Sequence, residues 1–440
     1  MNRINLTFFL IVCLLISSCS EQQQNKTSNK FQFATPKEVG MISDSLVKIE
    51  KMVMDFVDAK KYPGAVTLIA KNGKIVYESE IGWSDSLRTE PYRKDHLFRL
   101  ASMTKPIVSL AAMQLIEAGK IKLDDPVGNY IPTFKETTIL QSFNPADSSW
   151  TSSPSVSTPT IRQLLTHTSG VPYGFTSPNV YQIILAKNGI PDLNTFLPMT
   201  AKETMSKVGN IPLAFEPGTR WMYGLNTDVL GRVVEVASGK DLDDYIREKI
   251  TEPLGIKMLD FYFNDSLSNK LTKAFMPTPK GKITQIPNVQ QLFYIPNYPT
   301  EGAKTYYSGG GGMTGTARDY FLFCQAMLDN GKLNGTTLLK AETAESMHQN
   351  QLDSLKFRPG LEFGFGFDVA KNHPRKPDGA YGWGGAFSTI FWIDPVNDLI
   401  VKATAMALSK VPQANSSWSE EASIIYNNVD IAMAVAIDSG

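Results

Sequence analysis

Apolar side chains between residues 43 and 60 recur at Leu46, Ile49, Val53, Phe56 and Val57, a spacing that predicts an amphipathic helix. The next stretch, GAVTLIAKNGKIVYESEIGW, alternates in two runs on either side of Asn72-Gly73. That dipeptide supplies the left-handed residues of a two-residue turn, so an antiparallel hairpin is expected. In LFRLASMTKPIVSLAAMQLIEAGK, residues 97–120, an apolar helix runs from about 103 to 118 and closes at Gly119. Residues 136–160 are rich in Ser, Thr and Pro and read as an exposed loop. A mostly helical middle follows, in which DVLGRVVEVASGKDLDDYIREKI has helical periodicity in two pieces. The run GGGGMTGTARDYFLFCQAMLDNG leads from glycines into a further helix. The last third returns to strand-like runs, FGFGFDV, AFSTIFWIDP and DLIVKATAMAL, and a final helix is expected over 418–437.

Strands at both ends of the chain with helices between them predict one sheet built from both ends. The expected class is α/β (α+β), with a central antiparallel sheet flanked by helices. The sheet domain takes residues 36–110 and 305–440, and a mostly helical domain is inserted over 111–304.

The first 35 residues stand apart. Arg3 precedes an apolar run from Leu6 to Ile16, short for a membrane span but fitting for a signal peptide over 1–18. The small residues Ser17 and Ser18 precede Cys19, and a polar tether runs to residue 35. This resembles a bacterial lipobox, which implies cleavage before Cys19 and acylation of its thiol. The expectation is an exported lipoprotein, periplasmic or on the outer-membrane surface, that touches a membrane through this lipid alone. Of the other cysteines, Cys13 falls in the signal, and Cys324 lies on an apparent helix face as a buried small hydrophobe.

Composition narrows the partners. The chain is 42% hydrophobic and 20% charged, and 43 basic residues balance 43 acidic ones. Nothing in that balance or in any basic run calls for nucleic acid. The histidines at 96, 167, 348 and 373 are scattered, so neither a metal site nor a cofactor is expected. Gly309–Gly312 lacks a following Gly-Lys-Ser/Thr and reads as a close turn rather than a phosphate loop.

Ser102 and Lys105 carry the candidate chemistry. On one helix an S-x-x-K pair shares a face. A serine hydroxyl needs a base to take its proton, and a lysine serves if its surroundings favour the neutral amine. The helix N-terminus adds a backbone N–H toward a developing oxyanion. The spacing is not unique, because Ser45 and Lys48 repeat it on the first predicted helix.

The surroundings of the two copies differ. RLASMTKPI, QLLTHTSGVP, FEPGTRWMYGLNTDVLGRVVE, EPLGI, SGGGGMTGTARDY and YGWGGAFSTIFWIDP follow one another in that order. Together they resemble the serine β-lactamase-like superfamily in its class C-related branch, over roughly residues 40–435. That branch includes class C β-lactamases, certain D-aminopeptidases and DD-peptidases, and the family VIII carboxylesterases. The resemblance implies a β-lactamase/DD-peptidase-like fold with Ser102 as nucleophile, Lys105 beside it and Tyr223 as third member. Tyr262-Phe263-Asn264 fits the family's Y-x-N letter for letter, but only Tyr223 follows an Glu216-Pro217-Gly218-Thr219 block. Leu225 stands where lactamases have the asparagine that contacts substrate amides, leaving open whether Asn226 or Asp228 replaces it.

K-T-G, the family's third motif, is absent; Trp383-Gly384-Gly385 occupies its place, as in the family VIII esterases. An indole offers an apolar face and one N–H in place of a cation. Trp383, Gly384 and Gly385 are therefore expected against substrate, and the amides of Ser102 and Ala386 as oxyanion donors. The resemblance points to a serine hydrolase, a carboxylesterase acting on short uncharged acyl esters. A D-amino-acid peptidase or DD-carboxypeptidase, a weak class C-like β-lactamase, and a penicillin-binding-like receptor that is acylated without turnover stay open. Which of Lys105 and Tyr223 is the base is not settled by the sequence. His167 is expected to have a structural hydrogen-bonding role, and Phe363, Phe365 and Phe367 to pack a strand.

Overall fold

The computed structural model describes residues 31–175, 180–287 and 295–407. The signal segment, Cys19 and the 418–437 helix lie outside the described residues.

The predicted first helix is α1, Ser43–Asp58, and the hairpin is β1, Gly64–Lys71, with β2, Lys74–Gly82. Asn72 and Gly73 both have positive φ, 53° and 70°, as a turn of that type demands. The C-terminal strands are β5, Leu361–Phe363; β6, Asp368–Ala370; β7, Tyr381–Gly385; β8, Thr389–Asp394; and β9, Leu399–Thr404. They form one antiparallel sheet in the order β5-β6-β7-β8-β9-β1-β2. β9 joins the two ends of the chain, pairing Thr404 with Val66 and Leu399 with Lys71. The expected sheet built from both ends is therefore the one observed.

Both faces are covered, which is why β8 and β9 read as continuous apolar runs rather than alternating ones. On one face Leu46, Ile49, Val53 and Val57 of α1 pack with Ile69, Trp392, Leu399 and Val401. On the other lies α4, Ala317–Leu328, whose Tyr320 and Phe323 rings meet Phe391 at 5.1 and 6.4 Å. Cys324, on the same helix, is fully buried, and burial pushes its thiol well up.

One expectation fails. Within residues 136–160 there is a hairpin, β3, Thr138–Asn144, with β4, Ser149–Pro154. Its side chains are mostly exposed, so no buried face stamps an apolar alternation on the sequence. The ribbon is held through Leu213, which exchanges backbone hydrogen bonds with Thr138 and Leu140.

Lys402, on β9, is fully buried, and its ammonium lies 4.2 Å from the centre of the Tyr320 ring with no hydrogen-bond partner among the described residues. Burial pulls it from the usual 10.5 down to about 7. Between those values the unfolded chain holds a proton that the folded chain has released, so stability rises with pH across that window. Below about pH 7 both states are protonated, and the fold carries the full penalty of a buried cation. Lys402→Met is expected to raise unfolding free energy by a few kcal/mol at pH 6, a gain that shrinks toward zero near pH 10.5. Urea unfolding at pH 6 and 9.5 checks this; equal gains at both would contradict it.

Candidate active site

The helix that carries Lys105 is α2, Thr104–Glu117, entered through a 3-10 turn at Ala101–Met103. Ala101, immediately before Ser102, is held at φ 47°, a strained position for a side-chain-bearing residue. β7 runs against this turn. A Cβ on Gly385 would fall 2.2 Å from the Leu100 carbonyl oxygen, and the Thr389 hydroxyl donates to the same oxygen at 3.1 Å. Gly385 therefore serves the approach of strand to nucleophile turn, a packing requirement beside the substrate contact expected of it.

Ser102 Oγ sits between two groups, with Lys105 Nζ at 3.2 Å and Tyr223 OH at 2.6 Å. Lys105 is 1% exposed. Its three protons have three acceptors: Ser102 Oγ, Tyr173 OH at 3.1 Å and the Gly310 carbonyl at 2.6 Å. A cation in the first turn of a helix opposes the helix dipole; here these contacts offset it. The ammonium also lies 4.5 Å from the centre of the Tyr223 ring.

Behind Lys105 lies a buried carboxylate, Asp228, which the sequence reading had as one of two candidates to replace the missing asparagine. Asp228 is in the first turn of α3, Asn226–Ser238. It accepts from Ser308 Oγ at 2.7 Å, Gly310 N–H at 3.1 Å and Tyr173 OH at 3.4 Å. Burial raises its pKa, while the Lys105 charge pulls the other way. Burial, with the Asp228 charge after it, holds the Tyr173 phenol well above its usual range. The glycine run makes the approach: a Cβ on Gly310 would lie 2.2 Å from Asp228 Oδ2. Asp228 carried a signal in the sequence, an acid opening an apolar helix, and Tyr173 carried one in its place after the LTHTSG block.

The other residues sort cleanly. Asn226 is engaged by His167, whose Nδ1 is 2.9 Å from its Nδ2, and by the Ser169 hydroxyl. His167 therefore has the expected structural bond; burial, then the Lys105 charge, keeps it well below the usual histidine range. Its ring packs 4.8 Å from that of Tyr223. Tyr262 donates to the Tyr306 carbonyl at 2.7 Å, and Asn264 accepts from Ser266 N–H at 3.0 Å, so that Y-x-N match is structural. Ser45 is buried on α1 while Lys48 points to solvent, so the second S-x-x-K makes no site.

Trp383 stands 5.8 Å from the Tyr223 ring. Phe363 meets Trp383 at 5.3 Å and Phe357 at 5.1 Å, and Phe357 meets Trp221 at 4.6 Å. Phe363 thus belongs to an aromatic wall beside Ser102. Phe367 packs within the sheet against Tyr381 and Phe391, as expected of a strand residue. Phe357, outside every quoted block, and Trp221, inside the FEPGTRWMYG block but given no role there, escaped the sequence reading. Ala386 follows β7 directly, and among the described residues neither its amide nor that of Ser102 is paired with a protein acceptor. Among the described residues no cluster of His, Cys, Asp or Glu could hold a metal ion.

A beta-lactamase family model matches residues 49–420. Esterase EstB of Burkholderia gladioli is 31% identical over 356 residues, 76% of this chain and 83% of EstB. The lovastatin esterase of Penicillium rubens is 29% identical over 377 residues, 78% of this chain and 88% of that enzyme. Among solved structures, EstCE1, described as a hydrolase with promiscuous acyltransferase activity, matches with a TM-score of 0.73 at 26% identity, over 89% of this chain and 99% of EstCE1.

Proposed function

The chain belongs to the beta-lactamase family and is a serine hydrolase of that family, and we propose that it is a carboxylesterase that forms an acyl-enzyme on Ser102 with short, uncharged acyl esters. One observation carries the proposal: Ser102 Oγ lies within hydrogen-bond reach of both Lys105 and Tyr223, beside an indole where lactam-recognising relatives have a cation. The names of EstB, the lovastatin esterase and EstCE1 support the same class of substrate.

In the proposed reaction Ser102 Oγ bonds to the ester carbonyl carbon, and the carbonyl π electrons move onto its oxygen. The amides of Ser102 and Ala386 receive that oxyanion. The serine proton passes to the coupled Lys105–Tyr223 pair. As the intermediate collapses, the bond to the alcohol oxygen breaks and that oxygen takes the proton. Water repeats the sequence on the acyl-enzyme and restores Ser102.

The aromatic wall favours a second reading, acyl transfer. Trp221 and Phe357, both half-buried, and the edge of Trp383 present apolar surface beside the nucleophile, backed by the buried Phe363 ring; there an organic alcohol competes with water for the acyl group.

The test is a substrate panel. Steady turnover of p-nitrophenyl butyrate is expected, with nitrocefin and D-Ala-D-Ala peptides turned over at least about 100-fold more slowly in kcat/KM, since one missing charge contact in a specific site has that weight. Faster turnover of the peptides or nitrocefin would move the assignment to the peptidase or lactamase reading. Covalent trapping without turnover would move it to the receptor reading.

A further inference from the structure

The chain turns from β7 to β8 through Ala386, Phe387 and Ser388, a three-residue loop between the paired residues Gly385 and Thr389. A loop of this length commonly puts one residue in the left-handed region, where glycine is the usual choice because it has no Cβ to clash. Ser388 holds that conformation here, at φ 58°. Backbone strain of this kind persists where surrounding contacts over-determine it, and it gathers at active sites. We infer that Ser388 and Tyr62 are positioning residues that clamp this turn and so hold the Ala386 amide where the oxyanion forms beside Ser102. The inference rests on the acyl-enzyme reading and deepens it by naming what fixes one of its two oxyanion donors.

The Ser388 hydroxyl is bonded on both sides. It donates to the Ala407 carbonyl at 2.8 Å and accepts from Tyr62 OH at 2.8 Å. A hydroxyl has one proton, and a carbonyl only accepts, so the phenol is the donor of the second bond. The two partners come from opposite ends of the described chain, Tyr62 just ahead of β1 and Ala407 just past β9. Each is itself tied down. Tyr62 N–H donates to the Phe56 carbonyl in the last turn of α1 at 3.3 Å, and Phe275 N–H donates to the Met406 carbonyl, beside Ala407, at 2.7 Å. Ser388 is 5% exposed, so water is a poor substitute for either bond.

The other contacts of the loop tie it to the nucleophile turn. Ser388 N–H closes the loop on the Gly385 carbonyl at 3.0 Å. Phe387 is buried in one cluster with Ala101, the residue before Ser102, and Ala386 packs against that cluster. Thr389 holds the Leu100 carbonyl. The two oxyanion amides are thus linked through Leu100 and Ala101, and the Ser388 hydroxyl secures the loop to the sheet at its other end. Glycine at 388 would suit the backbone and leave the loop without that tether. The oxyanion exists only once the carbonyl carbon becomes tetrahedral, so a drift of the Ala386 amide weakens the transition state more than substrate binding.

The experiment compares p-nitrophenyl butyrate with its thiono analogue, in which sulfur replaces the carbonyl oxygen, in wild type, Ser388→Gly and Tyr62→Phe. Sulfur is larger and a weak acceptor, so the oxo-to-thiono ratio of kcat/KM reads how well the two amides fit an oxyanion. Ser388→Gly is expected to lower kcat for the oxoester by about tenfold, a part of the roughly 10^2–10^3-fold loss that follows deletion of a whole oxyanion donor. KM stays nearly unchanged, and the oxo-to-thiono ratio falls along with kcat. Tyr62→Phe is expected to shift the ratio in the same direction by a smaller factor. A purely structural role would slow both esters alike and leave the ratio in place. A ratio unchanged in both variants, or a wild-type ratio near one, would overturn the inference. If Ser388→Gly does not fold, Tyr62→Phe, which keeps the ring and the Ser388 hydroxyl, decides alone. Failure of the acyl-enzyme reading is separate: it shows as a wild-type enzyme without ester turnover, or as turnover that survives Ser102→Ala.

Discussion

Ser102→Ala is expected to lower kcat/KM for p-nitrophenyl butyrate by about 10^4-fold or more, with the fold intact. Deleting one oxygen from an 8% exposed side chain leaves little void. The turn that presents the residue is fixed by other contacts: Leu100 N–H to the Met313 carbonyl, Thr104 Oγ1 to the Ala101 carbonyl and Met313 N–H to Thr104 Oγ1. Thermal unfolding should therefore change little. What disappears is the nucleophile, and the remaining parts of such a site give only a small residual acceleration, as nucleophile deletions in other serine hydrolases show. Lys105 would keep the Tyr173 and Gly310 contacts, which the variant does not touch. Turnover within about tenfold of wild type would mean that the chemistry lies elsewhere on the chain.

Tyr223→Phe is expected to reduce kcat by about 10^2–10^4-fold. Phenylalanine keeps the ring, and the ring makes the packing contacts: 4.8 Å to His167, 5.8 Å to Trp383 and 4.5 Å to the Lys105 ammonium. Only the hydroxyl 2.6 Å from Ser102 Oγ is lost. Stability should therefore hold while proton transfer fails, so the deficit belongs in kcat rather than KM. If Lys105 were the sole base, the loss would be no more than severalfold. Steady-state kinetics beside a circular-dichroism melt separates the two outcomes.

The parts of this molecule that local spacing encodes were readable in its sequence. Ser102 and Lys105 are three apart across the start of one helix, and that interval alone brings them together. The Asn72-Gly73 turn declares its own conformation, and the apolar runs of β8 and β9 announce strands covered on both sides. Tyr223 was legible through its neighbours, the Glu216–Thr219 block, rather than through its spacing from Ser102. Asp228 and Tyr173 were harder because they are 55 residues apart and meet only through the folding of the chain between them. The double use of Gly310 leaves no side-chain signal of its own, since its backbone N–H goes to Asp228 Oδ1 and its backbone carbonyl accepts from Lys105 Nζ. The hairpin at 138–154 escaped for the opposite reason: mostly exposed, with its few apolar residues at Ile139, Leu140, Phe143 and Trp150 out of strict alternation, it gives no clear strand signal. The motif pointed Gly385 at substrate, and it gave no sign of the packing requirement set by the Leu100 carbonyl beneath it.

The most direct test of the central claim is to mix the enzyme with p-nitrophenyl butyrate, quench with acid during turnover and weigh the intact protein and its peptides. The account predicts a mass gain of one butyryl group, located on the peptide containing Ser102 and absent from Ser102→Ala. A butyryl group on another residue, or turnover with no acylated enzyme at any quench time, would contradict it.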